Sequence, residues 1–319
     1  MKKRFVDTLT PGENLDDVFR VSDKRMSQKR DGSPYLSLVL SDKTGSVAAV
    51  MWDVEGSASF GLRTGDPVRI NGTVSEYKGT LQVVVRSLEK LGEEAVEAAD
   101  FLPSTSMDVD ALLDRLQRLT ASMETPWLKA LFEQLWADAA FVERFRRAPA
   151  AKMMHHAYLG GLLVHCLSMA VLADRIAAHY SGIDRDLLVA GAILHDIGKT
   201  EEFDYETALD YSSRGRLLSH IVIGLQIIDA KLASLPDVPP GQADLLRHMI
   251  VSHHGEREFG ALEPPKTLEA VLLHFIDEMD SKVNAIREFM AKEDPSDTWT
   301  GYHRLLGRHF LMPKPDETE

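Results

Sequence analysis

Ala192-Ile193-Leu194-His195-Asp196-Ile197-Gly198-Lys199 sets a histidine and an aspartate side by side at the end of an apolar run that begins at Leu187. Burying an imidazole and a carboxylate among aliphatic side chains is unfavourable unless each is partnered. A metal ion is the partner that accounts for both at once. Adjacent helical residues point about 100° apart, so both can reach an ion lodged at a helix crossing. Gly198 reads as a helix C-cap. That leaves unexplained a carboxylate near the negative end of the helix dipole, where it needs a compensating cation.

Further metal-type side chains lie on either side of this run. His165 sits mid-helix in Gly160-Gly161-Leu162-Leu163-Val164-His165, His220 opens a helix after Ser219, and His253-His254-Gly255 closes another. Asp277 is an acid in the apolar stretch Leu272-Leu273-His274-Phe275-Ile276-Asp277, with His274 and Asp280 three residues to either side. Those two share its helix face and are placed to orient ligands. Singly, each position has an ordinary explanation: a bonded core histidine, a first-turn surface histidine, a protonated histidine that suits a helix C-terminus. Jointly they do not, because several helices present His or Asp from apolar settings. Mixed imidazole and carboxylate ligation suits Mn, Fe, Co, Ni or Zn. With one cysteine, Cys166, a Cys-based structural zinc site is excluded, and Cys166 itself is expected in the core.

The chain has 319 residues, enough for two domains with real cores. Its 44% apolar and 27% charged residues are those of a soluble globular protein. The lone cysteine fits a reducing compartment. Met1-Lys2-Lys3-Arg4 is followed by no apolar signal core, and no apolar run of membrane-spanning length stands out. The expectation is a cytoplasmic protein without a membrane partner. The net charge of −13 is unevenly spread: residues 1–92 hold 14 basic and 12 acidic side chains (+2), and residues 93–319 hold 22 and 37 (−15). The first segment is electrostatically distinct, and bound divalent ions would offset part of the acidity of the second.

Residues 15–92 read as β. Strand-like runs at 17–22, 35–40, 47–52, 68–74 and 81–85 are separated by Gly-, Asp- and Pro-containing turns. Five short strands in this length predict a small closed sheet, an OB-fold barrel. The acidic, Ala-rich stretch 93–106 reads as a linker. Beyond it the periodicity becomes helical, with segments near 107–122, 126–147, 155–180, 184–198, 219–233, 241–253 and 267–292. The predicted architecture is therefore multidomain: an all-β OB-fold barrel (1–92), a linker (93–106) and an all-α domain (107–319). OB-folds hold single strands with basic grooves and stacking aromatics. Lys24, Arg25, Lys29, Arg30, Tyr35, Trp52 and Tyr77 are the candidates here; for Trp52, inside Val50-Met51-Trp52-Asp53, barrel core is the competing reading.

The succession His165, His195-Asp196, Asp277 resembles the H…HD…D pattern of the HD-domain metal-dependent phosphohydrolases. Ala148-Pro149-Ala150-Ala151-Lys152 and His155-His156-Ala157-Tyr158-Leu159-Gly160-Gly161, leading into His165 behind an OB-like segment, resemble the YhaM-type 3′→5′ exoribonucleases along nearly the whole chain. The resemblance implies one divalent ion on His165, His195, Asp196 and Asp277. A second would share Asp196 and add His220, His253 and His254. Manganese is the leading ion. Lys199 would contact a substrate phosphate, and His156 would bind substrate, donate a proton or hold Tyr158. The implied reaction is hydrolysis of single-stranded RNA, or DNA, to nucleoside 5′-monophosphates. Two rival expectations fit the residues: an HD phosphodiesterase for small or cyclic nucleotides, and an OB-based nucleic-acid-binding regulator with an inactive HD domain. The sequence leaves the oligomeric state open, a homo-oligomer included.

Overall fold

A computed structural model describes residues 2–29, 31–52, 61–77, 79–152, 156–205 and 209–312. Arg30, His155 and the tail 313–319, expected to fray, lie outside the described residues. The chain forms two compact units, Met1–Ser104 with Asp204–Tyr211, and Thr105–Phe203 with Ser212–Glu319.

In the first unit, β1 (Asn14–Gln28), β2 (Pro34–Asp42), β3 (Gly45–Met51), β4 (Pro67–Tyr77) and β5 (Thr80–Lys90) close into a barrel in the order β1-β2-β3-β5-β4. β4 returns to β1, and among the described residues only the β3–β5 pairing is parallel. This is an OB-fold, and each predicted run falls on a strand, except that Trp52 lies just past the end of β3. Period-two burial builds it: Leu36, Leu38 and Leu40 of β2 and Val68, Ile70 and Val74 of β4 face the same core as Leu15, Phe19 and Val21. The buried carboxylate of Asp17 accepts from the backbone N–H of Lys3 and Arg4, and that of Asp42 from Val6, which ties the first residues across the barrel. Residues 93–100, expected to be linker, include two short 3-10 turns held to the barrel. Arg20 pairs with Glu93 at 3.0 Å, and the N–H of Lys43 donates to the carbonyl of Asp100.

Of the two readings of Trp52, the structure excludes barrel core. The residue is 45% exposed, with its ring 5.1 Å from that of Tyr35 and the Lys29 ammonium 5.9 Å away. The β2–β3 register explains why: Leu36 pairs with Met51, so the next positions outward are Tyr35 and Trp52, beyond the filled core.

The second unit contains α1 (Val109–Ala121), α2 (Pro126–Ala137), α3 (Ala139–Arg147), α4 (Gly161–His179), α5 (Arg185–Leu194), α6 (Lys199–Glu202), α7 (Ser213–Leu232), α8 (Pro240–Ser252) and α9 (Leu268–Met290). Between α6 and α7, β6 (Phe203–Asp204) and β7 (Asp210–Tyr211) form a small two-stranded sheet. The predicted 126–147 helix is two helices, because Asp138 turns out of the helical region and caps α3 by accepting from the N–H of Phe141. α5 is buried from Asp186 to Leu194, as befits a helix apolar on all sides. α4, packed against α5, α1 and α9, is long and apolar enough by length and composition to cross a bilayer, with a mean hydropathy of 1.5. The expectation of no such run is corrected to that extent. Half of that stretch is buried within the protein.

Two backbone features shape the junction of α5, α6 and α7. α7 begins at Ser213, earlier than predicted, and is broken at Ser219, whose φ of 60° is left-handed. His220 therefore opens the second half of a kinked helix. Gly198 is right-handed (φ −62°), which is not the C-cap conformation expected. Its need is space: a Cβ there would overlap the carbonyl oxygen of His220 and come within 2.6 Å of the Gly224 nitrogen. A missing side chain thus lets α7 lie against the His195–Lys199 turn.

Candidate metal centre

The ends of α5 and α8 each carry a histidine at the C-cap, where the last carbonyls of a helix lack partners. His195 Nδ1 meets the Ala192 carbonyl at 3.0 Å, and His253 Nδ1 meets that of Ile250 at 2.7 Å. A carbonyl only accepts, so both rings carry hydrogen on Nδ1 and turn Nε2 away from the helix end. The same logic holds around the site. His254 Nδ1 donates to the Phe259 carbonyl at 2.9 Å, His165 Nδ1 to Asp280 Oδ2 at 2.9 Å, and His220 Nδ1 to Glu202 Oε1 at 3.1 Å. Five imidazoles are thereby held by Nδ1, with Nε2 left to face the centre.

The structure brings these nitrogens together. Ligand atoms of His165, His195 and Asp277 lie within 4.8 Å of one another, as do those of His220, His253 and His254. Asp196 stands between the two sets. Its Oδ2 is 3.2 Å from His195 Nε2 and 3.7 Å from His165 Nε2; its Oδ1 is 3.5 Å from His220 Nε2 and 3.8 Å from His253 Nε2. His165 Nε2 and His195 Nε2 approach to 3.2 Å, and His165 Nε2 is 3.3 Å from Asp277 Oδ1. Two lone pairs that close require a cation or a proton between them. Among the described residues, Asp196 Oδ1, His220 Nε2 and His253 Nε2 are buried without a hydrogen-bond partner. Such atoms cost roughly 1–3 kcal/mol each if left so, and the donor set fits a divalent ion.

His165, His195, Asp196 and His253 are buried, whereas Lys199, His220, His254 and Asp277 are half-buried. The centre therefore has a closed floor and an open side. Lys199 donates to Asp196 Oδ2 at 2.6 Å, and this ammonium is the cation that the carboxylate at the α5 C-terminus demanded. Burial opposes the charge on each partner, yet each holds the other ionised: Lys199 is raised, and Asp196 lies well below the usual carboxylate range through Lys199 and His195. Burial and the neighbouring His195 and His254 push His253 well below the ordinary histidine value, so it is neutral. The protonated, dipole-favoured histidine considered from sequence is not what stands there.

His274 Nδ1 meets the His253 carbonyl at 2.9 Å, and Asp280 holds His165 directly, so both orienting residues expected around Asp277 touch a ligand residue. His156 is buried against Tyr158 and Asp280, and forms with His165 and Asp280 a third close group. Cys166 is buried. Sequence reasoning missed Glu202, which accepts from both the backbone N–H and Nδ1 of His220. It also missed Ser168, which donates to Asp280. Nothing in the polar run Lys199-Thr200-Glu201-Glu202 sets Glu202 apart. In the barrel, Lys24 donates its ammonium to the Leu62 carbonyl, whereas Arg25 is exposed.

Burial opposes charge on His165, but its bonds to Asp277 and Asp280 prevail and raise its pKa to about 9. In metal-free protein a proton thus takes part of the ion's place. The folded value exceeds the unfolded value of about 6.5. The resulting stability is fully present below pH 6.5 and is lost as pH rises through 9. EDTA-treated protein is expected to lose about 3 kcal/mol over that window, read by thermal unfolding at stepped pH. Metal-loaded protein should lack this decline, and a flat profile for the stripped protein would contradict the assignment.

Residues 162–282 match the HD domain, a span that includes both histidine sets, Asp196 and Asp277, and residues 20–91 match an OB-fold nucleic acid binding domain. The chain is 32% identical to the 3′-5′ exoribonuclease YhaM of Geobacillus sp. (strain WCH70), over 95% of this chain and 93% of that protein. It is 32% identical to that of Bacillus subtilis (strain 168), over 95% and 96%. The second OB-fold domain of replication protein A from Methanococcus maripaludis is similar over 28% of this chain and 95% of that one, at 24% identity and a TM-score of 0.23. With both domains matched in the same order and the likeness running almost end to end, the chain belongs to the family of the YhaM 3′-5′ exoribonucleases.

Proposed function

We propose that this protein hydrolyses single-stranded RNA from its 3′ end, releasing nucleoside 5′-monophosphates, at a centre holding two divalent ions. The observation that carries the proposal is Asp196, with one oxygen facing His165 and His195 and the other facing His220 and His253. One ion takes His165, His195, Asp196 and Asp277. The other shares Asp196 and takes His220, His253 and His254. Manganese is the first choice, with Co, Fe, Ni and Zn compatible with imidazole and carboxylate donors. When bound, such ions lower the pKa of water towards ~7 and offset charge on a phosphoryl group.

The chain's own groups do the rest. The anchored Nδ1–H bonds hold each imidazole in one tautomer and one orientation. Lys199, charged and half-buried beside Asp196, would neutralise a non-bridging phosphate oxygen. No serine or cysteine nucleophile is required. On the barrel, Tyr35 and Trp52 offer stacking faces for bases, and Lys29 and Arg25 offer charge for the backbone.

RNA labelled at its 5′ end, incubated with the protein and Mn²⁺, is expected to give a ladder that shortens from the 3′ end. Single-stranded DNA, mononucleotides and cyclic dinucleotides run beside it. Cleavage of the small nucleotides alone would replace the exonuclease with the phosphodiesterase reading.

A further inference from the structure

His156 makes an unusual demand on its backbone. It is not a glycine, yet its φ is 57°. Such left-handed residues persist only where their surroundings over-determine them, and they gather at functional sites. Here the N–H of His156 donates to Glu288 Oε1 at 3.1 Å, and its carbonyl accepts from the N–H of Ala150 at 3.1 Å. A Cβ on Gly161 would overlap that same carbonyl oxygen, so the glycine at the start of α4 makes room for the turn.

The turn places the ring between Tyr158 and Asp280. Nδ1 lies 2.8 Å from the Tyr158 hydroxyl, and Nε2 lies 3.5 Å from Asp280 Oδ2. Burial, with the charges of Glu288 and Asp280, pushes the Tyr158 phenol up to about 12. The phenol keeps its hydrogen and is hydrogen-bonded to Nδ1, and Nε2 faces Asp280. Asp280 thus accepts from the Ser168 hydroxyl on Oδ1 and from His165 Nδ1 on Oδ2, with the His156 ring at ion-pair distance from Oδ2. A carboxylate so surrounded has one orientation, and its partner His165 has one tautomer.

We propose that His156, oriented by Tyr158, is a positioning residue for the metal centre, fixing Asp280 so that His165 keeps its Nε2 aimed at the ion. This rests on the metal-centre reading above, and it gives His156 a different task from binding substrate or donating a proton. The strained turn is the device that sets the ring against Asp280, and the chain His156–Asp280–His165 carries its effect to a ligand.

The test is His156→Gly in the full chain. Glycine accepts the left-handed backbone without strain, so the substitution removes the ring and little else. Metal-free protein is titrated with Co²⁺ and followed by its visible absorption. We expect affinity at one site to fall by roughly 10–100-fold and to recover on addition of imidazole, which can refill the gap. Tyr158→Phe, which keeps the ring of His156 but removes the bond to its Nδ1, should weaken Co²⁺ binding in the same direction and less. Unchanged Co²⁺ affinity in both variants overturns the proposal. So does lost turnover with normal Co²⁺ binding, which would make His156 a proton donor or a substrate contact. Loss of affinity without rescue by imidazole, and with the Tyr158→Phe protein unaffected, would mark a structural role and also overturns it. Failure of the metal reading itself is recognised separately, because the unsubstituted protein would then take up no Co²⁺.

Discussion

Asp196→Asn is expected to reduce RNA hydrolysis by roughly three orders of magnitude or more, while the protein still folds and still binds a single strand. The substitution keeps the shape and removes what the site uses. Each Asp196 oxygen faces a separate histidine set, at 3.2 and 3.7 Å on one side and 3.5 and 3.8 Å on the other. An amide has one accepting end and one donating end. Whichever way it turns, its NH₂ faces a pair of imidazoles that need a cation, and it carries no charge to hold two ions together. Lys199 also loses its 2.6 Å partner. Breaking a fully enclosed ion pair costs roughly 3–5 kcal/mol, but the Lys199 side chain retains 15% exposure and can turn to water, so the cost here is smaller. Turnover of labelled RNA, strand binding and circular dichroism measured on one preparation separate these effects. Undiminished hydrolysis would end the metal mechanism, and lost strand binding would show that Asp196 does more than ligate.

Both halves of the architecture were legible in the sequence because each has a strong period. β2 and β4 alternate buried and less buried positions almost without exception, and α5 is apolar at nearly every residue, so a polar pair at its end stands out. His195 and Asp196 were conspicuous for that reason. The break at Asp138 was not, because an aspartate between two amphipathic stretches also suits an unbroken exposed face; its capping bond to the N–H of Phe141 exists only once the chain has turned. The kink at Ser219 left no trace in residue type either. The deepest part of the site was illegible for a different reason. His195, His253 and His254 are oriented by the carbonyls of Ala192, Ile250 and Phe259, and a backbone carbonyl is the same at every position. What sequence can show is residue type at a spacing. What decides that these rings offer Nε2 is a set of acceptors carrying no side-chain identity, together with Glu202 and Asp280.

Removal of divalent ions is expected to stop cleavage and to lower the midpoint of thermal unfolding by roughly 10 °C, both reversibly on adding Mn²⁺. The size comes from linkage: an ion present at a thousand times its dissociation constant stabilises the folded state by about 4 kcal/mol, and each kcal/mol moves the midpoint of a unit of this size by about 2–4 °C. The direction comes from the atoms. Without an ion, Asp196 Oδ1, His220 Nε2 and His253 Nε2 stay buried and unsatisfied, and the lone pairs of His165 and His195 face each other at 3.2 Å. A proton can relieve the second conflict by charging His165, but it leaves the first untouched, because burial and its neighbours keep His253 neutral. Mg²⁺ should restore little of either property, since it prefers oxygen donors and sheds water reluctantly, whereas this cluster offers five anchored imidazoles. Full recovery with Mg²⁺, or equal unfolding midpoints with and without chelator, would show that the histidines serve packing rather than ligation.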